Sequence, residues 1–196
     1  MTDIEITALI RDGQVEEAFN EIVRSYSERL YWHVRGFVCS HEDTDDLLQE
    51  IFIKVWSSIR EFRGESRIYT WIYRIATNEA LNHLQKMKVR SALRFEKISE
   101  ELTGRIDSDP YFIGDEVERQ LSKAVQHLPE KQKTVFMMRY FEDISYEDIS
   151  EILGTSVGAL KASYHFAKEK IIQELDIKSK TIKLDRKNLV KSLLDD

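Results

Sequence analysis

Apolar side chains recur at intervals of three and four residues along the first part of the chain. One apolar stripe runs over residues 19–37 and a second over residues 48–59, with a short polar break between them. Because an α-helix has 3.6 residues per turn, this spacing places each stripe on one side of a helix. A turn then precedes a further helix, which we expect to run to about Gln85 and for which Ser66 is the expected N-cap. We therefore expect an all-helical unit over residues 1–90.

The helical spacing is interrupted over residues 91–115. This segment contains two of the seven glycines and one of the two prolines, and its six acidic residues outnumber its three basic ones. Such a composition indicates a flexible linker that can contain a short helical stretch. Helical spacing returns over residues 116–175, and a Lys-rich tail with a short helix expected at residues 188–194 covers residues 176–196. The predicted fold class is therefore all-α, with two small helical domains joined by a flexible linker.

Residues 145–172 have the pattern of a helix-turn-helix. Ser145 and Ser156 are placed to cap its two helices, and Gly154 suits the left-handed conformation that ends the first one. The second helix has one apolar side, and its opposite side bears small and basic residues suited to a major groove and its phosphates. The alternative is a solvated face on a helical bundle that binds no DNA. The residues of this opposite side expected to contact duplex DNA are Lys161, Ala162, His165, Phe166 and Lys168.

The helix after Ser66 carries an unusual polar side. Trp71, Arg74, Asn78 and Asn82 lie within about 80° of one another when residues advance by about 100° each. Unpaired bases stack on aromatic rings, Asn reads base edges and Arg holds phosphate. Seven basic residues against two acidic ones between residues 63 and 94 add to this chemistry. The pattern favours an interface for single-stranded nucleic acid, and its alternative makes Trp71 and the nearby tyrosines core residues.

A second polar stripe lies on the preceding helix. Asp46, Gln49 and Glu50 surround the outward-facing Ile53, and Lys54 stands beside them. Polar groups around one apolar side chain indicate a docking face for a basic partner protein. The alternative is an acidic first helical turn favoured by the helix dipole, which leaves Ile53 unexplained.

Charge and cysteine usage exclude several classes of protein. The net charge of −6 argues against a protein that binds duplex DNA tightly by itself, because such proteins usually have a basic excess. The single cysteine, Cys39, cannot form an internal disulfide, which favours a cytoplasmic protein. We expect no signal peptide and no direct membrane insertion.

The pattern does not indicate an enzyme. The five histidines are scattered without the spacing of metal ligands, and the sequence has no glycine-rich phosphate loop and no nucleophile motif. We therefore expect no catalytic residue, no metal and no cofactor.

Three motifs occur in the order found in the extracytoplasmic-function (ECF) sigma factors of RNA polymerase. Residues 46–56, DLLQEIFIKVW, resemble the helix that binds core RNA polymerase. Residues 62–78 resemble the segment that recognises the −10 promoter element, and residues 128–131 and 145–149 resemble parts of the domain that binds the −35 element. The resemblance covers both predicted domains but neither the linker nor the tail.

The resemblance implies a transcription initiation factor whose partners are core RNA polymerase, promoter DNA and an anti-sigma factor. Asp46, Gln49 and Glu50 would dock on the clamp helices of the β′ subunit, with the β subunit as a further contact. Asn78 would hydrogen-bond a −10 base flipped out of the non-template strand. The residues expected at the −10 element are Phe62, Arg63, Ser66, Tyr69, Trp71, Tyr73, Arg74, Asn78 and Asn82.

One stretch departs from the family pattern. Relatives often carry several arginines on the helix that reads the −35 element, where this chain has KASYHFAK over residues 161–168. Ser163 joins the residues expected to contact that element. With fewer bidentate base readers, we expect DNA shape and phosphate contacts to carry more of the recognition.

Two other functions remain as alternatives. An autonomous regulator would bind duplex DNA through residues 145–172 without polymerase, but it leaves the docking face and the Trp71 stripe unexplained. A purely structural helical adaptor leaves all three motifs unexplained.

Overall fold

The computed structural model describes residues 1–91, 95–112 and 114–179. Within these ranges all regular elements are helical, and they form two compact units, one built mainly from residues 1–91 and the other mainly from the residues that follow. The fold class is all-α, as predicted. The α-helices are α1 (Asp3–Arg11), α2 (Val15–Val38), α3 (His41–Ser58), α4 (Ile68–Ser91), α5 (Phe95–Ser108), α6 (Glu116–Gln126), α7 (Glu130–Phe136), α8 (Tyr146–Leu153) and α9 (Val157–Ser179).

The first unit packs α2, α3 and α4 against one another around a shared apolar core. Ile22, Leu30 and Ile51 have no exposed surface, in agreement with the apolar stripes of the sequence, and Ile72 on α4 is buried with them. A 3₁₀ turn, Ile59–Glu61, ends α3 and leads into the segment before α4. The core therefore fixes which sides of α3 and α4 face solvent.

Helix α4 begins and ends later than the sequence predicts. It starts at Ile68, so Ser66 precedes the cap position instead of occupying it. Ile68, the first residue of the helix, is completely buried. The helix then continues to Ser91, because no glycine or proline interrupts it.

The second unit contains a helix inside the segment predicted to be a linker. Helix α5 buries Ile98, Leu102 and Ile106, which recur every fourth residue and pack against α6. The backbone carbonyl of Ile106 also accepts a hydrogen bond of 2.8 Å from Arg119 Nη1. This part of the segment is therefore an ordered helix and not a structureless tether, because its apolar stripe finds a partner.

The remaining helices of the second unit follow the predicted spacing. Asp115 caps α6 through a reciprocal pair of hydrogen bonds with Glu118, each 2.9 Å long. Helix α7 continues into a π-helical stretch, Met137–Phe141. Helix α9 runs to Ser179, so it includes the first residues of the predicted tail, whereas the helix expected at residues 188–194 lies outside the described residues.

None of the helices in the described part of the chain is both long enough and apolar enough to cross a membrane.

Candidate nucleic-acid and partner interfaces

The predicted docking face on α3 is assembled on one exposed side of the first unit. Asp46, Gln49 and Glu50 are exposed, while the intervening Leu47 and Ile51 are buried. Ile53 lies on the same side and exposes 67% of its surface. An apolar side chain with a polar rim is the arrangement found in protein interfaces.

Lys54 has a role that the sequence did not indicate. Its ammonium group lies 2.5 Å from the carboxylate of Glu79 on α4, and Glu79 is almost completely buried. The ion pair joins α3 to α4 at the edge of the docking face. Lys54 therefore helps to hold the two helices together as well as standing beside Ile53.

The docking face has an aromatic extension that sequence reasoning missed. Trp56 exposes 45% of its surface, and its ring centroid lies 5.0 Å from that of Phe19 on α2. Trp56 belongs to the apolar stripe that the sequence shows over residues 48–59. Only the exposure of its ring distinguishes it from the buried members of the stripe.

The segment between the 3₁₀ turn and α4 presents aromatic rings next to arginines. The Phe62 and Trp71 rings lie 5.2 Å apart, and both are half-buried. Tyr69 is half-buried as well, and the guanidinium of Arg67 lies 6.0 Å from its ring. We call residues 62–67 the pre-α4 loop. Arg63 in this loop is exposed and Ser66 is half-buried.

Helix α4 carries a row of exposed polar side chains. Arg74, Asn78 and Asn82 are spaced by four residues and are all exposed, which places them along one side of the helix. Trp71 stands at the start of this row and is half-buried. The structure thus brings the predicted stripe together with the pre-α4 loop at the beginning of the helix.

Tyr73 is the exception among the residues expected at a nucleic acid. It exposes 2% of its surface, and its ring lies 5.0 Å from that of His33. His33 Nε2 is 3.0 Å from the hydroxyl of Thr77, whose hydroxyl also donates to the backbone carbonyl of Tyr73. Tyr73 therefore belongs to the core beneath the polar row, because α4 turns its ring towards α2.

The helix-turn-helix of the second unit has the predicted caps. Ser145 Oγ accepts a 3.1 Å hydrogen bond from the backbone of Asp148, and Ser156 Oγ accepts one of 3.4 Å from Ala159. Gly154 ends α8 with a φ of 63°, in the left-handed region that favours glycine. These caps fix the turn between α8 and α9.

Helix α9 exposes the predicted side and buries the other. Lys161, Ala162, His165 and Phe166 are exposed, and Phe166 shows 52% of its surface. Ser163 and Lys168 are half-buried at the margins of this side. On the opposite side the helix buries Leu160, Tyr164, Ala167 and Ile171.

Aromatic rings of the second unit hold the two lysines that flank the exposed side of α9. The ammonium group of Lys161 lies 5.6 Å from the ring centroid of Tyr146, and that of Lys168 lies 5.2 Å from the ring centroid of Tyr164. Cation–π contacts of this kind restrain the two side chains at the edge of the exposed side.

Within the three described ranges, no three His, Cys, Asp or Glu side chains converge as a metal-binding group.

Comparison with known families matches both units. Residues 22–90 match the family described as Sigma-70 region 2, and residues 118–171 match the family described as Sigma-70, region 4. The first match contains the docking face, the pre-α4 loop and the polar row. The second contains the helix-turn-helix.

Similar proteins and structures agree with these matches. The chain is 33% identical to an ECF RNA polymerase sigma-E factor of Haemophilus influenzae, over 87% of this chain and 94% of that protein. It is 32% identical to the RNA polymerase sigma-H factor of Pseudomonas aeruginosa, over 88% and 93%. Its fold resembles that of CnrH, solved in complex with the cytosolic domain of CnrY, with a TM-score of 0.65, 20% identity and coverage of 89% and 97%.

A second solved structure has a similar fold. It is the sigma factor RpoE from Bartonella quintana in complex with the anti-sigma factor NepR, with a TM-score of 0.61, 21% identity and coverage of 81% of this chain and 97% of that one. The sequence matches confirm the resemblance found in the three motifs. This chain belongs to the ECF subfamily of RNA polymerase sigma factors, which direct promoter recognition and transcription initiation.

Proposed function

We propose that this sigma factor divides initiation among three surfaces. The exposed side of α3 binds core RNA polymerase, the pre-α4 loop and the polar row of α4 capture a −10 base, and α9 reads the −35 element. The observation that carries the proposal is the row of exposed Arg74, Asn78 and Asn82 next to half-buried aromatic rings. A surface built only for contact with water usually carries Lys and Glu at such positions.

Docking on polymerase combines charge with apolar burial. Asp46, Gln49 and Glu50 supply acceptors for basic groups on the β′ clamp helices, with the β subunit as a further contact. Ile53 and Trp56 supply apolar surface that a partner would cover. This arrangement matches the apolar centre and polar rim of protein interfaces.

Base capture is the step assigned to the pre-α4 loop and α4. Pulling a base out of a duplex costs a few kcal/mol. Stacking of a base on an aromatic ring contributes about 1–3 kcal/mol, so Phe62, Tyr69 and Trp71 offset much of that cost. The Asn78 amide both donates and accepts, so it can pair with a base edge, while Arg63 and Arg74 face the strand's phosphates. Ser66 and Asn82 lie at the margins of this surface.

Recognition of the −35 element is assigned to the exposed side of α9. Ala162 leaves room for close approach to base edges, and Ser163 and His165 supply hydrogen-bonding groups. Phe166 offers an apolar surface that suits the methyl group of thymine. Lys161 and Lys168 lie at the edges of this side, where phosphates run along the groove.

The proposed domain limits follow these assignments. Residues 1–90 form the domain for core and −10 binding and residues 116–175 the domain for −35 binding. Residues 91–115 connect them, and the Lys-rich residues 176–196 form a tail to which we assign no role. The family is not normally catalytic, and we propose that this protein acts in the cytoplasm, where its polymerase supplies the chemistry.

We extend the proposal to a regulatory partner. The solved structure of Bartonella quintana RpoE contains the anti-sigma factor NepR. An anti-sigma factor of this chain would compete with polymerase if it covered Ile53 and Trp56, the exposed apolar part of the α3 surface.

The experiment that tests the proposal is run-off transcription with purified core polymerase and a promoter library. We expect transcripts from promoters that share a −10 and −35 pair. Asn78→Ala should slow open-complex formation at those promoters about 5- to 150-fold, because loss of one base contact costs roughly 1–3 kcal/mol. Asn20→Ala, which removes an exposed Asn of α2, is the matched control and should initiate as wild type.

Two results would contradict these assignments. Equal rates for wild type and Asn78→Ala would remove the base-capture role of that residue. Tight binding to duplex DNA without any core-dependent transcript would favour the autonomous regulator instead.

A further inference from the structure

Helix α1 has no place in the three proposed surfaces, and it lies before the start of the Sigma-70 region 2 match at residue 22. Several contacts nevertheless attach this helix to the first unit. Ile6 and Ile10 are buried against the first unit, and the hydroxyl of Tyr26 on α2 donates a hydrogen bond to the Asp3 carboxylate. Thr2 caps the helix. These contacts attach both the first turn of α1 and, through Ile10, its C-terminal end to the first unit.

The C-terminal end of α1, which carries Arg11, lies against the pre-α4 loop. Gly64 in that loop has a φ of +73°, and a Cβ built on it would come within 3.0 Å of Arg11 Nη2 and 3.7 Å of Thr7 Cγ2. The Arg11 guanidinium thus packs on the bare backbone of Gly64. A side chain at position 64 would both strain the backbone and push Arg11 away.

The charge of Arg11 is available for a ligand. Among the residues that the structure describes, none makes a hydrogen bond or an ion pair with its guanidinium, and the side chain is exposed. A basic residue in the last turn also favours the dipole of α1, but that effect needs no contact with a neighbouring loop. The packing on Gly64 is therefore not explained by helix stability.

The chemistry of the neighbouring loop identifies the ligand. Arg63 is exposed in the same loop, and Phe62 and Trp71 offer rings to an unpaired base. A strand that places a base on these rings carries its phosphates along the rim of the loop. A guanidinium presents planar paired donors that match phosphate oxygens and is more weakly hydrated than an ammonium group.

We propose that Arg11 contacts a backbone phosphate of the single-stranded non-template DNA at the pre-α4 loop, which makes α1 part of the −10 interface. The inference rests on the −10 role proposed above. It adds a residue outside the stripe of α4 to that interface.

Salt dependence separates a phosphate contact from a structural role. Holoenzyme assembled from core polymerase and the full chain is titrated onto fork DNA from a promoter that it transcribes, with the −10 non-template strand unpaired. Binding is measured by fluorescence anisotropy over a series of salt concentrations. For Arg11→Ala we expect the slope of log affinity against log salt to be shallower by about 0.7, the contribution of one phosphate on a single strand.

The controls are matched in charge. Arg11→Lys should keep the wild-type slope, because an ammonium group still neutralises the phosphate. Arg24→Ala removes the same charge from an exposed side chain of α2 and should also keep the wild-type slope. Thermal unfolding of the free proteins checks that each variant is folded.

Three results would overturn the inference. The first is a wild-type slope for Arg11→Ala, even with a uniform loss of affinity, because uniform loss is the effect of disturbed packing. The second is an equal change of slope in Arg24→Ala, which would reflect net charge alone. The third is an Arg11→Lys slope as shallow as that of Arg11→Ala.

If the −10 role itself is wrong, Asn78→Ala will bind the fork like wild type, whereas failure of the Arg11 contact leaves the Asn78→Ala defect in place.

Discussion

Removal of the Ile53 side chain tests the docking face of α3 with the least disturbance to the fold. Ile53 exposes 67% of its surface in the free protein, so about two thirds of its area is available to be covered by a partner. Full burial of an aliphatic side chain of this size contributes about 1.5–3 kcal/mol. Covering the exposed two thirds therefore contributes about 1–2 kcal/mol, which corresponds to roughly a 5- to 30-fold change in affinity.

We expect Ile53→Ala to weaken binding to core polymerase by about that factor. The assay is a titration of labelled sigma factor with core polymerase, followed by fluorescence anisotropy. The thermal unfolding midpoint should hardly change, because the side chain already lies mostly in water.

Two other isoleucine substitutions in the first unit serve as controls. Ile51→Ala, on the buried side of the same helix, should lower the stability of the first unit by about 2–5 kcal/mol. Ile4→Ala removes an equally apolar but 82% exposed side chain from α1 and should leave core affinity unchanged. Wild-type core affinity for Ile53→Ala would refute the docking role of this side chain, and so would a loss of affinity that merely follows a loss of stability.

Two further predictions concern Phe166 and Tyr26. If Phe166 contacts thymine methyl groups, replacing thymine by deoxyuracil in the −35 element should weaken DNA binding by wild-type holoenzyme severalfold. The same replacement should leave DNA binding by the Phe166→Ala holoenzyme unaffected. Equal sensitivity of both proteins in a binding titration would contradict the contact. Burial and the hydrogen bond to Asp3 raise the pKa of Tyr26 above its ordinary value. Above a pH of about 10 the tyrosine ionises in the unfolded chain but not in the folded one, so the stability that it contributes is present below that pH and lost above it. Tyr26→Phe should be less stable than wild type at neutral pH and should lose less stability as the pH rises past about 10. An equal fall of the thermal unfolding midpoint with pH in both proteins would contradict the argument.

Local signals in the sequence predicted the helix-turn-helix almost completely. Ser145, Gly154 and Ser156 act through hydrogen bonds and backbone conformation within one helical turn, so their roles can be read without knowledge of the rest of the fold. The buried side of α9 followed equally well from its spacing. The polar row of α4 was also predicted, because Arg74, Asn78 and Asn82 share one side of any regular helix.

The exposure of a side chain was hardest to predict where one helix offers more than one apolar side. Trp56 and Tyr73 are both aromatic members of broad apolar patterns, yet Trp56 exposes 45% of its surface and Tyr73 only 2%. The spacing of a single helix cannot distinguish these cases, because the choice depends on where the neighbouring helices lie. The ordered helix α5 was underestimated for a related reason, since its three apolar residues become a stable stripe only when α6 covers them.

The sequence by itself determined the helical fold class, the caps of the helix-turn-helix, the polar sides of α3 and α4, and the family. These features depend on residue types at short spacings, where the geometry of a helix leaves little choice. Only the tertiary structure decided that Lys54 pairs with Glu79, that Tyr73 packs on His33 and that Arg11 lies on Gly64. Each of these contacts joins residues more than twenty positions apart, and such contacts form only when packing of the whole unit brings their helices together.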